Sequence, residues 1–333
     1  MSTSKFCQVI QLVTAALLSL AALPVLAASP VDTHGALAVK GNTIVDKTGK
    51  PTALAGPSLF WSTSGWLQER YYTPATVSFF KNQWHASIIR AAIGVDGPGA
   101  YIQDTEANLR RLYTVVDAAI KEGIYVIVDW HSHHAEDNPD QAIAFFEKVA
   151  KKYGHTPNVI YEIYNEPLEK TDWTKTVKPY AEKVIPAIRA IDPDNLIVVG
   201  TPVWSQDVDV AAKNPIKNVK NLAYTLHFYA ASHKQALRDK AQQALDAGLP
   251  LMVTEWGTVD ASGNGAVDKE ETLKWVAFMK QHHLTNCNWA ISDKAESAAY
   301  FVPGTKPDGK WTDADFTESA LLVKSIMQNW DKP

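Results

Sequence analysis

Two glutamates lie at the ends of apolar, strand-like stretches of the sequence. Glu166 belongs to Ile160–Pro167 (IYEIYNEP) and Glu255 belongs to Met252–Gly257 (MVTEWG). Two carboxyl groups can hydrolyse a glycosidic bond, because one with a raised pKa protonates the departing oxygen while the other, ionised, attacks the anomeric carbon. Retention requires the groups to lie about 5–5.5 Å apart. Either glutamate alone could be a cap or half of a salt bridge, but the pair favours acid–base chemistry.

Further polar and aromatic side chains follow the ends of the neighbouring apolar stretches. They are Arg90, His131, Asn165, Trp204, His227, Tyr229 and Trp289. In a parallel α/β barrel the carboxyl ends of all strands meet on one face, where the chemistry is done. We therefore expect these side chains to share one rim with the two glutamates.

Three clustered histidines suggest a metal site as an alternative hypothesis. His131, His133 and His134 lie close together in the sequence. No His-Glu-x-x-His pattern is present and no cysteine accompanies them, so the ligand set of a zinc site is incomplete. The prediction is no metal, with histidines that contact sugar or support the fold.

Short apolar stretches alternate with amphipathic ones along the chain. The predicted strands are Ala53–Ala55, Ser87–Ala91, Tyr125–Asp129, Val159–Ile163, Leu196–Val199, Ala223–Leu226, Leu251–Thr254 and Asn286–Trp289. The predicted helices include Leu109–Glu122, Asp140–Tyr153, Val177–Ile191, His233–Ala247 and Lys269–His282.

This alternation predicts an α/β fold, a (β/α)8 TIM barrel in a single domain. A small N-terminal β-hairpin over Val39–Val45 should lead into it. A doubly wound open sheet is the alternative, but no Gly-rich phosphate loop follows the first strand.

The N-terminus predicts secretion. Residues 1–27 combine a positive charge at Lys5, an apolar stretch over Leu12–Leu26 and small residues at Ala27 and Ala28, as in a signal peptide. A membrane anchor is the alternative, although the stretch is short for a span. We assign 1–27 to the signal peptide and 28–333 to the catalytic barrel domain, secreted and without membrane attachment after cleavage.

Charge and cysteine content exclude other classes. The net charge of −4 argues against nucleic acid or an anionic membrane as a partner, because both favour clustered basic residues. Cys7 lies in the predicted signal peptide, which leaves Cys287 alone in the mature chain. No intramolecular disulfide is then possible, and a buried, inert thiol is the expectation for Cys287.

The aromatic content points to a sugar substrate. The chain has 11 Trp, and flat rings stack on the apolar faces of glucose-type sugars. Trp61, Trp66, Trp204 and Trp289 are the candidate platforms near the rim, although any single Trp could pack in the core. Trp84 and Trp275, within helical patterns, are assigned to the core.

The motifs around the two glutamates resemble glycoside hydrolase family 5, the former cellulase family A. Asn165–Pro167 and Thr254–Gly257 carry the resemblance, together with Asp129–His133 (DWHSH) and Trp289–Lys294 (WAISDK). The last two are similar to the bacterial endo-β-1,4-glucanase branch. The resemblance covers about residues 36–330.

The resemblance implies roles for individual residues. Glu166 would be the acid/base and Glu255 the nucleophile. Arg90 would lower the pKa of Glu255, Asn165 would bind the sugar 2-hydroxyl, and Tyr229 would donate a hydrogen bond to Glu255. Other implied contacts with the substrate belong to His131, His227 and Lys294. Phe60 stands where many relatives have a histidine, which affects specificity on the non-reducing side.

The sequence therefore predicts a retaining endo-β-1,4-glucanase that needs no cofactor and works as a monomer. Its partner would be a β-1,4-glucan or a cello-oligosaccharide. β-Mannanase or mixed-linkage glucanase activity on the same frame stays open, because loops decide the choice of sugar. A non-catalytic, secreted glycan-binding barrel is the alternative from another class.

Overall fold

Eight parallel strands close into a barrel in the computed structural model, which describes residues 28–332. The barrel strands are β3 (Ala55–Leu59), β4 (Ile88–Gly94), β5 (Tyr125–His131), β6 (Val159–Glu162), β7 (Ile197–Val199), β8 (Leu222–Tyr229), β9 (Leu251–Gly257) and β10 (Asn286–Ile291). Sequential strands are neighbours, and β10 pairs with β3 to close the sheet. The predicted (β/α)8 barrel is confirmed. The predicted signal peptide lies outside the described residues.

Helices surround the barrel. They are α1 (Pro30–His34), α2 (Pro74–Trp84), α3 (Thr105–Glu122), α4 (Pro139–Tyr153), α5 (Lys178–Arg189), α6 (Pro202–Ser205), α7 (Val208–Lys213), α8 (Gln235–Asp246), α9 (Lys269–Gln281) and α10 (Glu318–Gln328). Short 3-10 turns lie at Ser64–Trp66, Glu69–Tyr71, Ala135–Asp137 and Asp313–Asp315, and a π-helical turn, Trp173–Val177, precedes α5. No helix within residues 28–332 is both long and apolar enough to span a membrane.

Local signals set the helix ends. The Asp104 side chain caps α3 by accepting from the Ala107 amide, and Gly123 ends that helix with a φ of 68°, in the left-handed region. Asp268 caps α9 in the same way. The apolar faces of the helices pack on the barrel strands, and Trp84 and Trp275 are fully buried there, as predicted.

Several barrel strands end later than predicted. β4, β8 and β9 each run three residues beyond the predicted end, and β3 lies at Ala55–Leu59 rather than at Ala53–Ala55. His227 and Tyr229 on β8 and Glu255 on β9 stay in the strands because their side chains have hydrogen-bond partners inside the rim, as described below.

The predicted hairpin is confirmed as β1 (Ala38–Lys40) and β2 (Thr43–Val45), which pair antiparallel. Leu37 and Ile44 pack against the barrel interior in a cluster that includes Ile88 and Met252. The hairpin thus covers the amino-terminal end of the barrel. The opposite, carboxyl-terminal end stays open for a site.

Candidate active site

The two predicted catalytic glutamates meet at the carboxyl-terminal mouth of the barrel. Glu255 lies within β9, and Glu166 lies four residues beyond the last residue of β6. A carboxylate oxygen of Glu166 lies within 4.8 Å of one of Glu255. Retaining glycosidases hold their carboxyl groups about 5–5.5 Å apart, whereas inverting enzymes separate them by about 6.5–9.5 Å to admit a water. An approach of two oxygens within 4.8 Å fits the retaining class.

A fully buried arginine orients the Glu255 side of the site. Arg90 on β4 places Nη1 2.8 Å from Glu255 Oε2 and Nε 2.7 Å from Glu162 Oε2. Its Nη2 lies 2.9 Å from Asp129 Oδ2 and donates to Asn165 Oδ1 at 2.6 Å. A buried guanidinium is stable only when its donors are paired, so these contacts fix the position of Glu255.

A tyrosine holds the second oxygen of Glu255. Tyr229 Oη donates to Glu255 Oε1 at 2.8 Å. Gly257, on the adjacent strand, makes room for the ring: a Cβ there would lie 2.3 Å from Tyr229 Cδ1. Glu255 therefore has both oxygens bonded, and its carboxylate has a defined orientation.

Two histidines hold Glu166. His227 Nδ1 lies 2.9 Å from Glu166 Oε1, and His133 Nε2 lies 3.2 Å from Glu166 Oε2. His227 on β8 is buried, whereas the His133 side chain is about one-third exposed. Each carboxylate oxygen thus has an imidazole partner that can give or take a proton.

The pKa shifts in this site are the reverse of the predicted ones. Burial raises the pKa of Glu166, but hydrogen bonds with His133 and His227 outweigh burial and lower it to about 2. Burial and the charge of Glu166 raise the pKa of Glu255, against the opposing effect of Arg90. The predicted lowering of the Glu255 pKa is therefore wrong in net direction, because Arg90 is shared among several carboxylates.

With its lowered pKa, Glu166 is ionised, and the proton needed for catalysis is held by its neighbour His227. Burial lowers the pKa of His227, but Glu162 and Glu166 outweigh burial and raise it to about 9. At neutral pH the Glu166–His227 pair therefore holds one proton, which resides on the imidazole.

Asn165 keeps a free hydrogen-bond donor. Its Oδ1 accepts from Arg90, while its buried Nδ2 has no partner within the described chain. An unpaired buried amide is costly unless a ligand completes its bonding. A sugar hydroxyl above Glu255 would supply the acceptor.

His131 packs between two tryptophan rings, Trp61 and Trp289. Its Nδ1 lies 2.6 Å from Asp129 Oδ2, and its ring stacks on Trp289 with centroids 5.3 Å apart. Trp61 contacts the same ring edge-on at 4.3 Å. Burial is the largest of the effects that lower the pKa of His131, so the imidazole is neutral.

Two clefts extend from the glutamates in different directions. One, of about 680 Å³, is lined by Phe60, Trp61, Trp66, Trp289 and Lys294. The other, of about 510 Å³, is lined by Trp204, Gln206 and His233. Glu166 and Glu255 line both clefts. Trp66 is 51% exposed and Trp204 is 38% exposed, as an open stacking surface requires.

Phe60 and Lys294 occupy the first cleft together. Phe60 packs against Trp289 with centroids 5.1 Å apart and meets Trp66 edge-on at 6.0 Å. Lys294 Nζ lies 5.0 Å from the Trp66 ring and pairs with Glu296. Phe60 thus contributes apolar contact where a histidine would contribute a hydrogen bond.

A metal would find one candidate group of ligands in residues 28–332, namely Glu166, His227 and Glu255. Their oxygens and nitrogen already bind one another, Arg90 and Tyr229. The clustered histidines of the sequence do not converge: His131 turns to Asp129, and His133 turns to Glu166.

The sequence did not predict the contacts of four residues in the network. They are Asp129, His133, Glu162 and Thr254, whose contacts hold Arg90, Glu166 and His227. Asp129 and Glu162 offered a signal, because each interrupts an apolar strand with a charge that must be paired when buried. Thr254 offered none, since a threonine is ordinary in a strand.

The chain is similar to known proteins. The cellulase family, glycosyl hydrolase family 5, matches residues 45–295. Endoglucanase Z of Dickeya dadantii is 54% identical over 294 residues, which are 88% of this chain and 66% of that protein. The chain thus spans about two thirds of the length of this relative.

Solved structures agree with that match. A structure from Cytophaga hutchinsonii has a TM-score of 0.88 at 48% identity and covers 90% of this chain and 97% of its own. The catalytic domain of Thermobifida fusca endoglucanase Cel5A in complex with cellotetraose has a TM-score of 0.85 at 32% identity, with 90% and 100% covered.

Proposed function

Because the chain belongs to the cellulase family, glycosyl hydrolase family 5, we propose that it hydrolyses internal β-1,4-glucosidic bonds of glucans with retention. The observation that carries this proposal is the separation of Glu166 and Glu255, whose carboxylate oxygens approach within 4.8 Å. No cofactor is needed, since the two carboxyl groups supply both the nucleophile and the proton.

The first step makes a covalent intermediate. Glu255 attacks the anomeric carbon, the bond to the leaving oxygen breaks, and Glu166 gives that oxygen a proton. In the free site the proton is on His227. A bound sugar displaces water from Glu166, which disfavours the Glu166–His227 ion pair and moves the proton onto Glu166.

The second step returns the enzyme to its starting state. A water attacks the anomeric carbon, the ester bond to Glu255 breaks, and Glu166 takes the proton of the water. Asn165 Nδ2 would donate to the sugar 2-hydroxyl in both transition states. Arg90 and Tyr229 would stabilise the Glu255 carboxylate as it leaves.

The substrate would cross both clefts. Trp61, Trp66 and Trp289 would stack on sugars on the non-reducing side, where Phe60 and Lys294 also lie. Trp204 would stack on the leaving-group side, beyond Glu166. A chain bound through both clefts is cut internally. The cellotetraose complex of the Thermobifida fusca relative supports a cello-oligosaccharide ligand.

The choice of sugar is tested by comparing carboxymethylcellulose, mannan and mixed-linkage glucan. The proposal expects rapid loss of viscosity with carboxymethylcellulose. Cleavage of mannan alone would contradict it. Glu255→Ala should lower turnover by several orders of magnitude while sugar binding persists, whereas full activity in that variant would show that Glu255 is not the nucleophile.

We also propose that the protein is secreted as a monomer. The support for secretion is the signal-like segment 1–27. The support for a monomer is that the barrel presents one complete site within a single chain.

A further inference from the structure

A chain of hydrogen bonds links His227 to Arg90 through Thr254 and Glu162. His227 Nε2 lies 2.9 Å from Thr254 Oγ1, and Thr254 Oγ1 donates to Glu162 Oε1 at 2.6 Å. Glu162 in turn binds Arg90. Thr254 and Glu162 are fully buried and contact none of the reacting atoms of the proposed reaction.

The direction of each hydrogen bond in this chain is determined. Burial opposes ionisation of Glu162, but Arg90 and His227 outweigh it and lower its pKa, so the carboxylate only accepts. The single hydroxyl proton of Thr254 must then point to Glu162. His227 Nε2 faces a lone pair of Thr254, and it must carry a proton of its own.

We propose that Thr254, held by Glu162, is a positioning residue that fixes the neutral tautomer of His227. This rests on the proposed function of Glu166. With Nε2 protonated, the neutral ring presents a bare Nδ1 to Glu166 Oε1 at 2.9 Å. A proton between these two atoms makes a hydrogen bond, and its loss leaves two lone pairs facing each other.

The consequence is a pair that retains one proton. If His227 could carry its proton on Nδ1, it would stabilise the ionised form of Glu166 and weaken the acid. The fixed tautomer removes that option, so the Glu166–His227 pair keeps its proton to higher pH. After the first step the same pair, now without the proton, is a stronger base toward the incoming water.

Other groups near His227 do not supply this effect. The charged and titratable groups around the ring are Glu162, Glu166, Glu255, His131 and His133. Glu162 lies 3.8 Å from Nε2, beyond hydrogen-bonding distance. Thr254 is therefore the direct partner of that nitrogen.

The matched test replaces Thr254 and a second buried barrel threonine. Thr254→Val removes the hydroxyl, and Thr254→Ser keeps it. Thr225→Val is the control, because Thr225 is equally buried and its Oγ1 has no hydrogen-bond partner within the described residues. Thr254→Val should lower kcat/KM on cello-oligosaccharides about tenfold above neutral pH and move the basic limb of the profile down by about one pH unit. Thr254→Ser and Thr225→Val should keep the wild-type profile.

A spectroscopic measurement on the free protein tests the tautomer directly. Nitrogen-15 NMR of labelled histidine above pH 9, where His227 becomes neutral, with His227 assigned by its own substitution, should show the ring protonated at Nε2 in the wild type and partly at Nδ1 in Thr254→Val. Wild-type His227 protonated at Nδ1, or an unchanged tautomer and basic limb in Thr254→Val, would overturn the inference. The wild-type spectrum decides even if a variant does not fold. Because it needs no turnover, this result is independent of the Glu255→Ala test of the proposed function.

Discussion

Four acidic side chains lie close together in the site: Asp129, Glu162, Glu166 and Glu255. Asp129, Glu162 and Glu255 share the one guanidinium of Arg90, and burial raises the pKa of Asp129 and Glu255 despite that contact. Arg90 orients Glu255 and lowers its pKa, but burial and the charge of Glu166 outweigh this effect. His227 and His133 are the hydrogen-bond partners of Glu166 and can exchange protons with it. Orientation and proton affinity are thus set by different side chains.

This charge arrangement predicts a pH profile of kcat/KM with two shifted limbs. Glu255 must be ionised, and its raised pKa moves the acidic limb above the pH typical of a free carboxyl group. The Glu166–His227 pair must hold a proton, which is lost as pH rises through about 9. Initial rates on a soluble cello-oligosaccharide should therefore form a plateau through neutral pH. A basic limb of kcat/KM that begins below pH 7 would contradict the assignment of the proton to this pair.

At the scale of elements, the ends of the strands carry the site. β4, β8 and β9 carry Arg90, Tyr229 and Glu255, whose side chains meet at the mouth of the barrel. Close packing between β8 and β9 depends on Gly257, which leaves room for the Tyr229 ring. Backbone and catalytic geometry are linked at that point.

Gly257→Ala should displace the Tyr229 ring, because the added Cβ would lie 2.3 Å from its Cδ1. We expect kcat to fall by about 10-fold or more, as for loss of a hydrogen bond to a charged group. Steady-state kinetics of Gly257→Ala, Tyr229→Phe and the double variant measure the coupling. Additive effects of the two substitutions would show that Gly257 does not act through Tyr229.

The exposed indoles on the two clefts predict separable effects on product pattern. Trp204→Ala should raise KM for long cello-oligosaccharides by weakening the leaving-group side, and Trp66→Ala should weaken the other side. Product analysis of cellopentaose hydrolysis should show the cleavage position shifting in opposite directions. Leu273→Ala is the control, since this side chain is 45% exposed but lies outside both clefts. The same shift in both Trp variants would contradict the assignment of sides.

The sequence predicted the elements better than it predicted their ends. The alternation of short apolar stretches with amphipathic ones was sufficient to predict the closed barrel. β8 and β9 end later because His227, Tyr229 and Glu255 find partners inside the rim, and such pairing cannot be read from one strand alone. The roles of His133 and Thr254 were missed for the same reason: each depends on a contact with a residue distant in the sequence.

At the scale of the whole molecule, the two ends of the barrel have different roles. The hairpin of β1 and β2 covers one end with apolar contacts from Leu37 and Ile44. The other end holds the acidic cluster and the two clefts. Cys287 lies buried in the interior, where burial raises the pKa of its thiol and keeps it unreactive, as the sequence predicted.

Export should leave a mature chain that begins at Ala28, following residues 1–27. Expression with the native N-terminus in a Gram-negative host, followed by fractionation and N-terminal sequencing, measures this directly. Lys5→Glu should slow export, because the positive charge precedes the apolar stretch. Retention of the uncleaved chain in the membrane fraction would favour an anchor instead.

In the proposed reaction Glu255 forms a covalent bond to the sugar while Glu166 supplies the proton. The most direct measurement is incubation with a 2-deoxy-2-fluoro cellobioside that bears a good leaving group, followed by peptide mass spectrometry. The fluorine slows both steps, so the glycosyl-enzyme should accumulate with the sugar attached to Glu255. A label on any other residue, or turnover with inversion of the anomeric centre and no label, would contradict the account.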